Sequence, residues 1–192
     1  MADTKISAMP AATALQGTEV FPIVQGGINA QTPLSAIRAY GSVYGAFSSS
    51  ATQTGSISAG TVMTVSQTDV ADGITVASTS RFTVPNTGVY NLQFSSQFTN
   101  SESTQEDIAI WVKINGTDVS NTASIVTVAG RKNPATPGKL IAGWNFFLNM
   151  NANQYAELAW QPTSANVTMS ALTAAATYPA VPSVIVTMNQ VG

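Results

Sequence analysis

The sequence predicts an all-β sandwich preceded by a short extended segment, and three observations carry that reading. The first is the run 81–98, Arg-Phe-Thr-Val-Pro-Asn-Thr-Gly-Val-Tyr-Asn-Leu-Gln-Phe-Ser-Ser-Gln-Phe. A short strand containing Phe82 and Val84 stops at Pro85, which has no N–H to give a sheet ladder. Asn86, Thr87 and Gly88 make a turn, because Asn and Gly tolerate positive φ. A second strand then alternates, with Tyr90, Leu92, Phe94 and Phe98 on one face and Asn91, Gln93 and Ser95 on the other. Together they read as a β-hairpin. The second observation is that short apolar runs recur between turn residues along the rest of the chain, the pattern of a sandwich. The third is composition: only 8% of the 192 residues are charged, 7 Lys and Arg against 9 Asp and Glu. That is about a third of the usual share for a soluble domain.

In chain order, residues 1–40 differ from the remainder. Val20, Phe21, Ile23 and Val24 form a short apolar strand interrupted by Pro22, and residues 25–29 form a turn around Gly26 and Gly27. Thr32 caps a helical turn with Pro33 at its first position and Leu34 and Ile37 on one face. The segment has too few apolar residues for a core of its own, so it must dock on its own oligomer or on another protein. Residues 41–56 are a Ser/Gly/Thr-rich linker that includes a first strand near Ala46 and Phe47. Residues 57–192 form the head domain. There, Val62, Met63 and Val65 begin a strand, residues 69–73 form a turn, and 74–77 continue as a strand. Residues 99–107 and 130–139 are polar loops, the first holding Glu102, Glu106 and Asp107 and the second Arg131, Lys132 and Lys139. Residues 167–171 are a strand, and 174–180 a small-residue connection.

Composition excludes several classes of chemistry. There is no Cys and no His, so disulfides, thiolate metal sites and the commonest general base are all missing. A nucleophilic Ser needs a base, and neither Ser-x-x-Lys nor Gly-x-Ser-x-Gly occurs. Glu102, Glu106 and Asp107 lack the closely spaced oxygen ligands that calcium wants, and Asp69 and Asp72 bracket an ordinary turn. No metal and no cofactor are expected. A net charge of −2 with no basic run longer than Arg131-Lys132 argues against nucleic acid. No apolar stretch reaches the length of a membrane span, and no charged n-region followed by an apolar h-region marks a secretory signal. Trp111, Trp144 and Trp160 could stack a sugar, but apolar strand patterns around them read more simply as core or intersubunit packing. Asn115-Gly116-Thr117 and Asn166-Val167-Thr168 match glycosylation acceptors, which without a secretory signal read as chance.

Two resemblances add to this reading. The order Phe-Thr-Val-Pro, turn Gly, Tyr-x-Leu-x-Phe resembles the centre of the complement-type globular head, the tumour-necrosis-factor-like jelly roll. Residues 108–116, ending in Asn115-Gly116, look like that fold's next strand and turn. Residues 144–150 and 155–160 look like a following hairpin, and 182–188 like its closing strand. This likeness runs from about Phe47 to the C-terminus and implies a homotrimer. In that family, aromatic residues on the sheet facing the three-fold axis pack the trimer, and here Tyr90, Phe94, Trp111, Phe146 and Tyr155 are the candidates for trimer or core packing. The second likeness is in the first 40 residues. Lys-Ile-Ser-x-x-Pro-Ala-Ala-x-Ala-Leu-x-Gly-x-Glu, then Phe-Pro-Ile-Val-Gln-Gly-Gly and Thr-Pro-Leu-Ser-x-Ile, resembles the virion-attachment segment of bacteriophage tail fibres. Such fibres have a long shaft, and this chain has almost none.

The combined expectation is a structural, non-enzymatic virion protein: a short trimeric tail fibre assembled in the host cytoplasm. Ile6, Pro10, Leu15, Phe21, Ile23, Val24, Leu34 and Ile37 would dock it on another virion protein, a tail adaptor, a nozzle or another fibre ahead of a capsid protein. Arg131, Lys132 and Lys139 would meet an anionic host glycan or phosphate, or serve solubility alone. A capsid decoration protein is the alternative within the class. A soluble carbohydrate-binding module and a glycan-cleaving enzyme using Glu102 or Glu106 are alternatives from other classes.

Overall fold

A computed structural model describes residues 16–41 and 43–192. The chain divides after Ser42 into two compact units. Ile6, Pro10 and Leu15, expected to dock on the virion, lie outside the described residues.

In the N-terminal unit, β1 (Val20–Gln25) and β2 (Ile28–Pro33) pair antiparallel with Ile23 opposite Ala30, and α1 (Leu34–Gly41) follows. The expected turn shrinks to Gly26 and Gly27, both at positive φ. Pro22 does not interrupt β1. In a two-stranded ladder each strand keeps one free edge, and there proline's missing N–H costs no ladder bond. Pro33 ends β2, so the helix starts one residue later than expected. The unit is closed by backbone bonds from Leu34 to the Glu19 carbonyl (2.8 Å) and from Ser35 to that of Gly17 (2.9 Å). The Glu19 carboxylate accepts the amides of Gln16 and Gly17 at 2.7 Å each, and these bonds hold its pKa below the ordinary value.

In the head unit the strands are, in chain order, β3 (Tyr44–Ser49), β4 (Gln53–Thr54), β5 (Thr61–Val62), β6 (Gln67–Asp72), β7 (Thr75–Ala77), β8 (Arg81–Thr83), β9 (Gly88–Asn100), β10 (Glu106–Ile114), β11 (Thr117–Asp118), β12 (Ser124–Val128), β13 (Gly138–Ala142), β14 (Asn145–Met150), β15 (Tyr155–Pro162), β16 (Val167–Met169) and β17 (Val184–Gln190). They form two antiparallel sheets. One runs β6-β3-β17-β9, with β16 following β17 along the same edge of β9, β4 beyond β16, and β13 and β14 along the far edge. The other runs β7-β8-β15-β10, with β12 and β11 on β10 and β5 on β15. The chain passes repeatedly from one sheet to the other, as a jelly roll requires.

That topology corrects two expectations. Residues 82–84 and 90–98 are not a hairpin, because β8 pairs with β15 whereas β9 pairs with β14 and β17. The turn after Pro85 carries the chain across the sandwich, and Val84 instead exchanges backbone bonds with Asn153 and Gln154. Residues 145–150 and 155–160 likewise fall in different sheets, on β9 and β10. A turn's chemistry shows where a strand stops, not which sheet receives the next one.

Three loop assignments also move. Residues 69–72 are strand, and only Gly73, at φ 81°, turns. The acidic loop contracts to residues 101–105, held by Asn100, whose buried side-chain amide donates to the Thr104 carbonyl at 2.9 Å. Lys139 belongs to β13 rather than to the basic loop. The Asn115-Gly116 turn behaves as expected, with both residues at positive φ as a tight type I′ connection needs.

The core lies between the sheets. Trp160, Tyr90, Phe47, Phe82 and Phe98 are its largest fully buried side chains. Two aromatic pairs cross from sheet to sheet, Phe47 with Phe82 at 5.3 Å and Phe98 with Trp160 at 5.4 Å between ring centroids. Tyr90 keeps a polar handle, donating its hydroxyl to the Asn86 carbonyl at 2.9 Å, and burial pushes its pKa up. We expect Tyr90→Ala and Phe94→Ala each to cost about 3–5 kcal/mol in chemical denaturation. Tyr90→Phe, which removes only the hydroxyl, should cost about 1 kcal/mol. Values near zero would place these rings outside the packed interior.

Candidate assembly face and surface sites

The two sheets differ on their outer sides. In the β9 sheet, strict alternation puts Val89, Asn91, Gln93, Ser95, Gln97 and Thr99 outward from the long central strand. Register extends each row across the sheet. Asn91 lies opposite Phe147 on β14 and Asn189 on β17, and Asn189 lies opposite Tyr44. Gln93 lies opposite Asn145 and Thr187, and Ser95 opposite Ile185. Ile141 lies opposite Gln97. The result is a field of amides and hydroxyls studded with exposed Phe147 (67%), Ile141 (67%), Tyr44 and Ile185. The eight strands of this sheet hold three charged residues, Asp69, Asp72 and Lys139, all on strands at its margins. Beside Lys139, a cleft of about 310 Å³ opens among Gln97, Thr99, Leu140, Ile141 and Leu172.

The outer side of the β10 sheet carries paired charge. Glu157, buried, accepts a hydrogen bond from Ser80 at 2.9 Å and faces Arg81 at 3.6 Å. The Arg81 guanidinium lies 4.7 Å above the Tyr155 ring. Asp118 takes the Lys113 ammonium and the Trp111 indole N–H, the latter at 2.6 Å. The Lys113 hydrogen bond, followed by that of Trp111, holds the Asp118 carboxyl below its ordinary 3.8.

The aromatic candidates therefore do not share one face. Tyr90 and Phe94 are buried in the interior. Phe146 points inward at the rim, stacked 6.3 Å from Phe94, with Trp144 edge-on to Phe94 at 4.7 Å. Trp111 and Tyr155 stand on the outer side of the opposite sheet. The three tryptophans are also separate: Trp160 in the core, Trp144 at the rim, and Trp111 with Gly60 so close that an added Cβ would strike the ring. They make no common stacking platform. Sequence reasoning missed Phe147, Ile141, Ile185 and Tyr44. Adjacent Phe146 and Phe147 must point to opposite sides of a strand, but which side is inside follows only from pairing.

The acids of the expected carboxylate site are engaged locally. Glu106 accepts from Thr163 at 2.6 Å, Asp107 from Thr127 at 2.6 Å, and Glu102 from the Asn166 amide. No group of three or more His, Cys, Asp or Glu able to hold a metal occurs among the described residues. Arg131 and Lys132 sit exposed on their loop, where the Arg131 amide bonds the Glu102 carbonyl at 2.6 Å. No helix among the described residues is long and apolar enough to cross a membrane.

No family model matches this chain, and no curated protein matches it. Among solved structures it is similar to the Eiger TNF of S. frugiperda, with a TM-score of 0.52 and 10% identity over 79% of this chain and 93% of that one. It also aligns with the globular domain of the zebrafish complement 1qA protein at a TM-score of 0.45 and 8% identity, over 78% of this chain and 98% of that one. The head is a jelly roll of the TNF kind.

The Asp118 cluster yields a pH prediction. Because its folded-state pKa is depressed, its contribution to stability is present above the ordinary carboxylate value and is lost as pH falls through the lower folded value. Asp118→Asn should therefore lower Tm at neutral pH, and the gap to wild type should close in strong acid. A gap unchanged by acid would show that charge is not its origin.

Proposed function

We propose that this protein is a structural, non-catalytic homotrimer that serves as a short bacteriophage tail fibre. The observation that carries the trimer is the outer face of the β9 sheet. A jelly roll that leaves Phe147, Ile141, Ile185 and Tyr44 exposed on a field without central charge gains most by burying that field against copies of itself. Charge is retained instead on the opposite sheet, which would face solvent.

The N-terminal unit supports an anchor. Its two-stranded hairpin leaves Val20, Phe21, Val24, Ile28 and Ile37 exposed, and such a hairpin is marginal in water until something covers it. Phe21, Ile23, Val24, Leu34 and Ile37 are the described residues that would meet the virion. The tail is favoured by the likeness of residues 1–40 to tail-fibre attachment segments. Arg131 and Lys132, displayed on an exposed loop, would meet anionic groups of a host surface glycan.

Three measurements test this reading. Light scattering on the purified chain should give a trimer, and Phe147→Asp should give monomers, because it would bury a charge without a partner three times over. A gold label on the head, viewed on intact particles, should cluster at the tail. Deletion of residues 1–42 should leave a folded trimer that no longer joins particles. Label spread over the capsid would make this a decoration protein, and no label on any particle would favour a soluble glycan-binding module.

A further inference from the structure

We infer that the trimer is held in register by a pairing between opposite margins of the β9 sheet: Asp69 of one copy with Lys139 of the next. The inference rests on the trimer reading above. A three-fold interface is heterologous, so a residue meets a different residue of its neighbour and one edge of a sheet meets the other edge. Here the two edges carry opposite charge. On β6 they are Asp69 and Asp72, and on β13 it is Lys139. The ion pairs among the described residues are Arg81 with Glu157 and Lys113 with Asp118, so both margins keep their charge unpaired within the chain.

Asp69 owes its position to a break in register. Ala46 lies opposite Val70, but the next residue, Phe47, lies opposite Thr68, so Asp69 is the extra residue of a β-bulge. Simple alternation from exposed Val70 would have turned this carboxylate toward the core. The bulge re-aims it outward, where the Ser48 hydroxyl donates to it at 3.0 Å. Lys139 and Ile141 point outward together from β13, at the mouth of the cleft that also includes Leu172. That cleft is the receiving site for the neighbour's β6 edge, with exposed Val70 entering against Ile141 and Leu172 and Asp69 reaching Lys139.

Register sets the geometry this demands. Asp69, as the extra residue, falls between the rows of Ala46 and Phe47, which run on to Gln93 and Phe94, whereas Lys139 stands opposite Thr99, five to six residues further along β9. Five to six residues span about 18 Å, and the four strand spacings from β6 to β13 about 19 Å. Strands inclined by about 45° to the three-fold axis bring the two charges to one height.

The test is the dissociation constant of the full-length trimer, measured by native mass spectrometry and light scattering for wild type, Lys139→Glu, Asp69→Lys and the double variant. Each single reversal should weaken the trimer at least about tenfold, because three like-charge contacts replace three pairs. The double variant should recover wild-type affinity. Lys139→Gln gives a milder variant should a reversal disturb folding, and it should weaken assembly in the same direction. A wild-type trimer indifferent to the single reversals, or weakened without recovery in the double variant, overturns the pairing and leaves the trimer standing. A wild-type monomer at micromolar concentration overturns the trimer itself.

Discussion

The structure depends on the unbroken alternation of β9. Over thirteen residues this strand sends Tyr90, Leu92, Phe94 and Phe98 inward and, beyond Val89, amides or hydroxyls outward. It is bonded on both sides, to β17 and β16 along one edge and to β14 and β13 along the other. A slip of one residue would exchange its two faces, placing Asn91 and Gln93 in the core and three aromatic rings in the neutral field. One strand's register thus fixes both the packing of the interior and the chemistry of the exterior.

Much of the fold was legible in the residues because it rests on local rules. Pro85 and Asn115-Gly116 ended strands where the chain does stop, and the period-two pattern of 90–98 identified its buried side correctly. What local rules cannot carry is pairing. The turn at 86–88 has the chemistry of a hairpin, yet its strands separate into different sheets because Phe82 and Tyr90 both fill the space between the layers. Asp69 was read as a turn residue for the same reason: a bulge is defined by the partner strand, and β3 lies some twenty residues earlier. The candidate face was hidden more deeply, since Phe147, Ile141, Ile185 and Tyr44 lie on four strands that only tertiary register unites.

Scarcity of charge acquires a location in the folded chain. The few ionic groups of the head are sorted, with Glu157, Arg81, Lys113 and Asp118 joined in contacts on one sheet and the centre of the other left neutral. Serine, threonine, asparagine and glutamine supply that neutral field. Their hydrogen bonds are satisfied by water in the free chain and can be satisfied by another copy without the cost of desolvating an ion. At 10% identity with a TNF structure, what the two chains share is the fold rather than particular residues.

The β6 strand has a further consequence for the free chain. It is the outermost strand beside β3, all six of its residues are exposed, and its free edge is a template for another chain's backbone. Two carboxylates on so short a segment make the approach of a second β6 repulsive, and the bulge bends the edge away from the straight line that stacking needs. Heads are thereby steered away from open-ended, edge-to-edge polymers.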